Sequence, residues 1–329
     1  MEKITWGILS TSNFALTQII PSVKKCSKSV VAGIASRDFD KARLKAAEHN
    51  IPNYYGSYEE LLEDKNIEAV YIPLPNHMHL EWIKKSLQAG KHVLCEKPIT
   101  LNAAEAEELV SFAMDYPELK LMEAFMYRLH PRWKKVKELL SQKVIGEIKH
   151  VQSFFSYYNV KPENIRNKAD AGGGALLDIG CYCISHSLGI FEKTPVKVLG
   201  NIDYDPVFKT DRLTSGMLDF GNATVAFTCS TQIPFDQFSK IYGSEGRMEI
   251  YRPFNPELSE TSSINILGYD KFDKIDIAPF DHYTLEFDQF SEAIISDSEI
   301  MIPLVDAVNN MKVIDGIFKS AELNRWVNL

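Results

Sequence analysis

Positive charge is in deficit in this 329-residue sequence: 36 Lys and Arg face 44 Asp and Glu, for a formal net charge of -8. A chain of that sign offers no electrostatic footprint to a nucleic-acid backbone, and its basic pairs, such as Lys134-Lys135, fall in an amphipathic helical pattern where solvation accounts for them. Long apolar runs are also missing. No stretch of roughly 18 apolar residues runs uninterrupted, and no basic start leads into an apolar segment. Neither membrane association nor secretion is therefore expected, and a cytoplasmic location is. Cysteine is scarce and odd in number: Cys26, Cys95, Cys181, Cys183 and Cys229 lack the paired C-x-x-C spacing that a zinc site uses. They read as small buried hydrophobes, with no metal site expected. Repeats and low-complexity tracts are absent too, and a chain of this length has enough apolar content, 45%, to bury the cores of two domains.

What is present is a rhythm. Strand-like apolar runs alternate with helix-period segments: 4–9, 14–23, 30–35 and 41–48, then 68–72, 77–89, 92–95, 103–112 and 119–124. Such alternation implies right-handed crossovers and a doubly wound parallel sheet with helices on both faces. After about Phe125 the pattern changes. A helix is expected over 132–141, a strand over 148–158, and a Gly-rich turn opening a helix over 172–191. Strands over 196–204, 213–220, 223–231, 238–242 and 247–251 with Gly, Asp and Asn at their ends predict antiparallel hairpins, and helices over 284–295 and 305–324 close the chain. The expected class is α/β: a Rossmann-type sheet in a dinucleotide-binding domain over 1–124, and an α+β domain with a large open, mainly antiparallel sheet over 125–329 for substrate binding and oligomerisation.

The first strand leads into Gly7-Ile8-Leu9-Ser10-Thr11-Ser12-Asn13-Phe14, small residues where a dinucleotide fold needs a tight turn and a close approach of backbone to pyrophosphate. Only the first glycine of the usual pattern is kept. Ser10 and Ser12 can donate to phosphate but enter left-handed conformations less freely than glycine, so an ordinary strand-to-helix turn remains an alternative for this loop alone. At the end of the second strand, Ser36-Arg37 stand where a ribose diol would call for Asp or Glu, and arginine favours a 2′-phosphate. The alternative is a solvated arginine beside Asp38. Two further loops, Pro73-Leu74-Pro75-Asn76-His77-Met78-His79 and Glu96-Lys97-Pro98, follow the fourth and fifth strands, at the edge where open α/β sheets bind ligands.

Taken with the opening Trp6–Leu9, the run Asn76–His79, A-G-K-H-V-L-C-E-K-P over Ala89–Pro98, E-A-F-M-Y-R-x-H-P over Glu123–Pro131 and G-G-G-A-L-L-D-I-G-x-Y over Gly172–Tyr182, the chain resembles the Gfo/Idh/MocA oxidoreductase family. The likeness covers essentially the whole chain and is nearest the NADP-dependent xylose dehydrogenase and dimeric dihydrodiol dehydrogenase branch, with Ser10 and Ser12 as departures from the glycines of many members. The resemblance implies hydride transfer between a nicotinamide and a sugar, polyol or dihydrodiol. It implies cofactor contacts from Gly7, Ser10, Thr11, Ser12, Asn13, Phe14, Ser36, Arg37, Pro73, Leu74, Asn76, His79, Glu96 and Lys97, with NADP expected and NAD possible.

It further implies that Lys97, on a loop aimed by a cis Lys97–Pro98 bond, approaches the nicotinamide and the substrate hydroxyl, and that Tyr182 exchanges the substrate proton. Asp178, Tyr182 and His186 recur every four residues, so on a regular helix they form one polar stripe opposite Leu176, Ile179 and Ile184. Asp178 either holds substrate hydroxyls or orients Lys97. Tyr182 reads either as the acid/base or as a buried structural tyrosine, and His186 either as part of the pocket or as a core histidine. Arg128 reads as a structural partner near the domain junction. The aromatic set Phe154, Phe155, Tyr157 and Tyr158 is split between pocket and packing, and polarity around Tyr157, Phe235 and Tyr283 separates a sugar substrate from a dihydrodiol or an imine. Other readings are dihydrodiol dehydrogenase activity and a dinucleotide-sensing regulator without turnover. Association into a homodimer or tetramer through the outer face of the open sheet is expected.

Overall fold

The computed structural model describes residues 2–329. The chain forms two units, one of residues 1–100, 104–129 and 281–307, the other of 101–103, 130–280 and 308–329. These differ from a single division at 124/125 chiefly because the segment 281–307 belongs with the N-terminal part.

In the first unit, six parallel strands β1 (Ile4–Ile8), β2 (Ser29–Ala35), β3 (Asn53–Tyr55), β4 (Ala69–Ile72), β5 (His92–Glu96) and β6 (Leu121–Ala124) lie in the order β3-β2-β1-β4-β5-β6. The order reverses between β1 and β4, the switch point at which such sheets open a crevice for ligands. The inner strands are largely buried, as parallel strands covered on both faces must be, with Val70, Tyr71 and Ile72 on β4 and Val93, Leu94 and Cys95 on β5 each 0% exposed, whereas the edge strand β3 has no buried residue. The covering helices include α1 (Ile20–Val23), α2 (Phe39–His49), α3 (Tyr58–Glu63), α4 (His79–Gln88) and α5 (Ala103–Ala113). Asp38 and Ser57 cap α2 and α3 by accepting from the amides of Lys41 and Glu60. The late segment joins this unit because its apolar face matches it: Phe287 and Phe290 pack on the Trp6 ring, whose Nε1 donates to Ser291 Oγ at 3.1 Å.

The second unit is built on a nine-stranded sheet, ordered β14-β13-β12-β11-β7-β10-β9-β8-β15. Its strands are β7 (Ile148–Tyr158), β8 (Lys197–Tyr204), β9 (Asp211–Asp219), β10 (Thr224–Ser230), β11 (Gln232–Gly243), β12 (Gly246–Tyr251), β13 (Ser262–Gly268), β14 (Phe272–Ile277) and β15 (Val327–Asn328). Only the β7–β10 pair is parallel, so the sheet is mainly antiparallel as expected. The hairpin β13–β14 had no counterpart in the sequence pattern. Its residues carry little apolar alternation because β14 is largely exposed.

Helices α6 (Pro131–Ser141) and α7 (Cys181–Phe191) belong to this unit, as does α9 (Leu304–Leu323) from Val308 on. Along β7, Val151, Ser153 and Phe155 are buried, whereas Gln152 is exposed and Phe154 half-buried, so one sheet face is covered more fully than the other. The segment 169–191 is long and apolar enough to pass for a membrane span by composition, but 78% of its most apolar window is buried inside the protein, as a core helix requires.

Candidate functional site

The phosphate loop is held by its own hydroxyls. Ser10 Oγ accepts from the Ser12 amide at 2.9 Å, Ser12 Oγ accepts from the Ala15 amide at 3.3 Å, and the first helical bond runs from Leu16 N–H to Ser12 O at 3.1 Å. The amides of Asn13 and Phe14 therefore open the helix ahead of its first bond, and each serine hydroxyl keeps a proton to donate. That arrangement fits an anionic pyrophosphate. The turn continues as a π-helical stretch, Ala15–Ile19, into α1. Gly7 is needed for packing: a Cβ there would lie 2.5 Å from Leu61 Cδ2, so α3 approaches β1 only over a glycine.

At the end of β2, Thr11 Oγ1 lies 3.4 Å from Ser36 Oγ, which also accepts from the Asp38 amide at 3.2 Å. Asp38 is committed to capping α2, and Arg37 is exposed, makes no ion pair among the described residues, and reaches the Tyr58 phenol. A hydroxyl next to an unpaired guanidinium is a donor set suited to a 2′-phosphate.

Beyond β4, Pro73 is half-buried, Leu74 buried, and Asn76 opens a short helical turn ahead of α4. His79 is 0% exposed, with Nδ1 at 2.8 Å from Pro98 O and Nε2 at 2.9 Å from Leu74 O, and burial pushes its imidazole down to about 4. The expectation that His79 contacts a cofactor meets a ring whose two nitrogens are occupied by main chain. Beyond β5, Glu96 accepts from the Tyr71 hydroxyl, Lys97 is half-buried, and the Lys97–Pro98 peptide is cis. The Ile99 amide donates to Glu123 Oε1 at 2.9 Å. Glu123 is 2% exposed, and loss of water raises its carboxyl to about 7 against the opposing pull of the Ile99 amide, Arg128 and Lys97. Arg128 is paired with Asp306 at 2.7 Å, the structural role expected of it. Glu286, in the helix α8 (His282–Ile295), is 1% exposed, and neither carboxyl oxygen has a hydrogen-bond partner among the described residues. Burial and the Glu96 charge hold its carboxyl well above the usual carboxylate range.

In the second unit the Gly-rich turn is shaped by Asp211. Gly174 has φ +118, and a Cβ on it would lie 1.9 Å from Asp211 Oδ1; Asp211 Oδ2 accepts from the Leu176 amide at 2.6 Å and Thr214 Oγ1 at 2.9 Å. Burial raises Asp211 to about 7. The turn opens a π-helical stretch, Leu176–Gly180, before α7 begins at Cys181. The three polar residues of this helix consequently have different surroundings. Asp178 Oδ2 accepts from Tyr157 Oη at 2.5 Å and pairs with Arg166 Nε at 3.0 Å. Tyr182, 4% exposed, packs on Phe155 and Phe254. His186 is a core histidine: Nε2 lies 2.7 Å from Ser239 Oγ, its ring packs on Trp133, and burial pushes it down to about 3. The aromatic set divides likewise, with Phe155 against Tyr182, Phe154 stacked on Phe238, and Tyr158 exposed.

Sequence reasoning missed Glu123, Glu286, Asp211 and Arg166. Glu123 lay inside a quoted motif; the other three carried no local signal, since a lone charged residue reads as surface.

Residues 4–123 match the model of an oxidoreductase family with an NAD-binding Rossmann fold, and residues 133–249 match the C-terminal domain of the same family. The chain is 34% identical over 326 residues to a D-xylose 1-dehydrogenase (NADP(+)) of Haloferax volcanii, covering 98% of this chain and 99% of the relative. It is 40% identical over 188 residues to a trans-1,2-dihydrobenzene-1,2-diol dehydrogenase of Xenopus tropicalis, covering 57% and 56%. Among solved structures it is similar to a 3-ketoreductase from Actinomadura kijaniata in complex with NADP and TDP-benzene, with a TM-score of 0.89, 29% identity, and 97% and 98% coverage. Two-domain architecture, motif loops and full-length likeness agree, and the chain belongs to the Gfo/Idh/MocA family of NAD(P)-dependent oxidoreductases.

Proposed function

We propose that this enzyme is an NADP-preferring dehydrogenase that oxidises, reversibly, a secondary alcohol or cyclic hemiacetal of a sugar-like substrate. The observation that carries the reading is the Glu96-Lys97-Pro98 loop at the carboxyl end of β5, on the same sheet edge as the phosphate loop, in a chain alike along its whole length to an NADP-dependent D-xylose dehydrogenase. Bound nicotinamide supplies the hydride acceptor. Gly7 and the loop Ser10, Thr11, Ser12, Asn13 and Phe14 would hold its pyrophosphate, Ser36 and Arg37 the 2′-phosphate, and Pro73, Leu74, Asn76 and Glu96 the nicotinamide half.

Lys97 holds the substrate oxygen and stabilises the negative charge that develops on it. Tyr182 takes the hydroxyl proton, and Asp178, oriented by Tyr157 and Arg166, binds neighbouring substrate hydroxyls. The dihydrodiol relative makes trans-dihydrodiols the second substrate class to test. A panel of aldoses, inositols and dihydrodiols, assayed by cofactor absorbance with NADP and NAD in parallel, decides. Turnover of sugars with NADP supports the reading. Turnover of dihydrodiols alone, or of no alcohol, sinks it.

We further propose a cytoplasmic homodimer or dimer-based tetramer, a location in keeping with five free, buried cysteines. The less covered face of the nine-stranded sheet carries a groove of about 430 Å³ where Phe154, Met217 and Phe238 are interleaved with Gln152, Ser215 and Thr228, a mixed surface of the kind a second copy would cover. Light scattering that returns a monomer at micromolar concentration would contradict this.

A further inference from the structure

Two consecutive residues at the start of α6 hold three consecutive main-chain carbonyls. Arg132 Nη1 donates to Tyr251 O at 3.2 Å, and Nη2 donates to Arg252 O at 2.6 Å and to Pro253 O at 3.0 Å. Trp133 Nε1 also donates to Pro253 O, at 3.0 Å. Arg132 is 0% exposed, and no carboxylate pairs with it among the described residues. A charge taken out of water without a counter-ion is costly, and a neutral donor would satisfy a single carbonyl as well. What the guanidinium adds is a rigid fork that fixes several acceptors relative to one another.

Those carbonyls lie on a turn with an uncommon backbone. β12 ends at Tyr251, and Arg252 has a φ of +46, in the left-handed region that a residue with a Cβ enters only when its surroundings hold it there. The Arg252 amide donates to Gln237 O at 3.0 Å, so the turn is tied on both sides of that residue. It delivers Phe254, 0% exposed, between the aromatic side chains of the site. The Phe254 ring lies 5.5 Å from Phe155, 5.5 Å from Tyr182 and 5.8 Å from His186, within the range of favourable aromatic pairs. A contiguous route therefore runs from the Arg132 fork through the turn to the Phe254 ring and on to Tyr182.

We propose that Arg132 is a positioning residue for Tyr182: by holding the carbonyls of Tyr251, Arg252 and Pro253 it seats Phe254 against the Tyr182 ring and so sets the direction of the phenol. The proposal rests on the reading of Tyr182 as the group that takes the substrate proton. Two substitutions in the full chain interrupt the route at different points. Arg132→Met removes the fork and keeps an apolar stem, whereas Phe254→Leu keeps the fork and removes the ring.

The first readout does not depend on turnover. In fluorine NMR of protein labelled with m-fluorotyrosine, the Tyr182 line is the one lost in Tyr182→Phe, and the Tyr71 line, from the first unit, is assigned in the same way. Both substitutions should move the Tyr182 line towards its position in the unfolded protein and leave the Tyr71 line in place. The second readout is kinetic. Each substitution should lower kcat about tenfold or more while KM for NADP stays within about twofold, the signature of a misplaced reacting group. The double variant should lose no more than the worse single variant, because both act through one contact. A Tyr182 line that Arg132→Met leaves in place overturns the proposal, as do losses that multiply to about hundredfold in the double variant, since Arg132 would then serve the fold alone. Should Arg132→Met fail to fold, Trp133→Phe takes its place: it removes one donor to Pro253 O and should move the Tyr182 line in the same direction by less, and an unmoved line again overturns the proposal. Near-normal turnover in Tyr182→Phe sinks the underlying reading instead, whatever the fluorine lines show.

Discussion

Replacing Glu123, a carboxyl buried beneath the Ile99 amide, with its neutral isostere should make the protein more stable at alkaline pH. Burial raises its pKa from 4.5 to about 7, so the folded state binds this proton more tightly than the unfolded state does. The stability this provides is fully present below pH 4.5 and is lost as pH rises through 7. At 1.36 kcal/mol for each tenfold in proton affinity, ionised Glu123 costs the fold about 3 kcal/mol at pH 8. Glu123→Gln keeps an oxygen for the Ile99 amide and never ionises. The difference in stability, variant minus wild type, should therefore be flat below pH 4.5 and climb to about 3 kcal/mol in favour of the variant by pH 8. Asp211 and Glu286 carry shifts in the same direction, but they are common to both proteins and cancel in the difference. Urea unfolding followed by tryptophan fluorescence reports on the first unit through the buried Trp6 and Trp82. A difference that stays flat from pH 4 to 8, or a variant less stable than wild type at pH 8, would refute the reasoning.

Three further substitutions probe the rest of the molecule. Arg37→Ala should weaken NADP by about tenfold or more while sparing NAD, as expected for losing a charge-assisted contact to phosphate; equal loss of both cofactors in a binding titration would remove Arg37 from that role. Tyr182→Phe should lower kcat by roughly 10²–10⁴ with cofactor affinity nearly unchanged, the usual scale of general acid–base catalysis; near-normal turnover would return Tyr182 to a purely structural part. Gly174→Ala meets both an unfavourable φ of +118 and the Asp211 carboxylate at 1.9 Å, so it should cost about 1–3 kcal/mol from strain alone and lower Tm measurably. An unchanged Tm would mean that the turn relaxes freely.

The parallel sheet, the phosphate turn and the lysine loop were legible in the sequence because their causes are local. Covered parallel strands read as short apolar runs, crossover helices as 3.6-residue periods, and loops at strand ends as Pro, Asn and small residues. The four-residue spacing of Asp178, Tyr182 and His186 was equally plain, yet their roles were not. The π-helical stretch at Leu176–Gly180, set by the Asp211 contacts at the preceding turn, and burial among Trp133, Phe155 and Phe254 give each a different neighbourhood.

Sequence alone determined the family, the order of the elements and which residue types stand at the ligand-binding edge. Tertiary structure alone decided which polar groups are buried and what they hold: Glu123 beneath an amide 24 residues away, Asp211 beneath one 35 away, and Ser291 on the Trp6 ring 285 away. The physical reason is that desolvation and hydrogen-bond partnership are properties of contacts between distant segments. A lone Glu, Asp or His therefore looks like surface until the chain has folded over it.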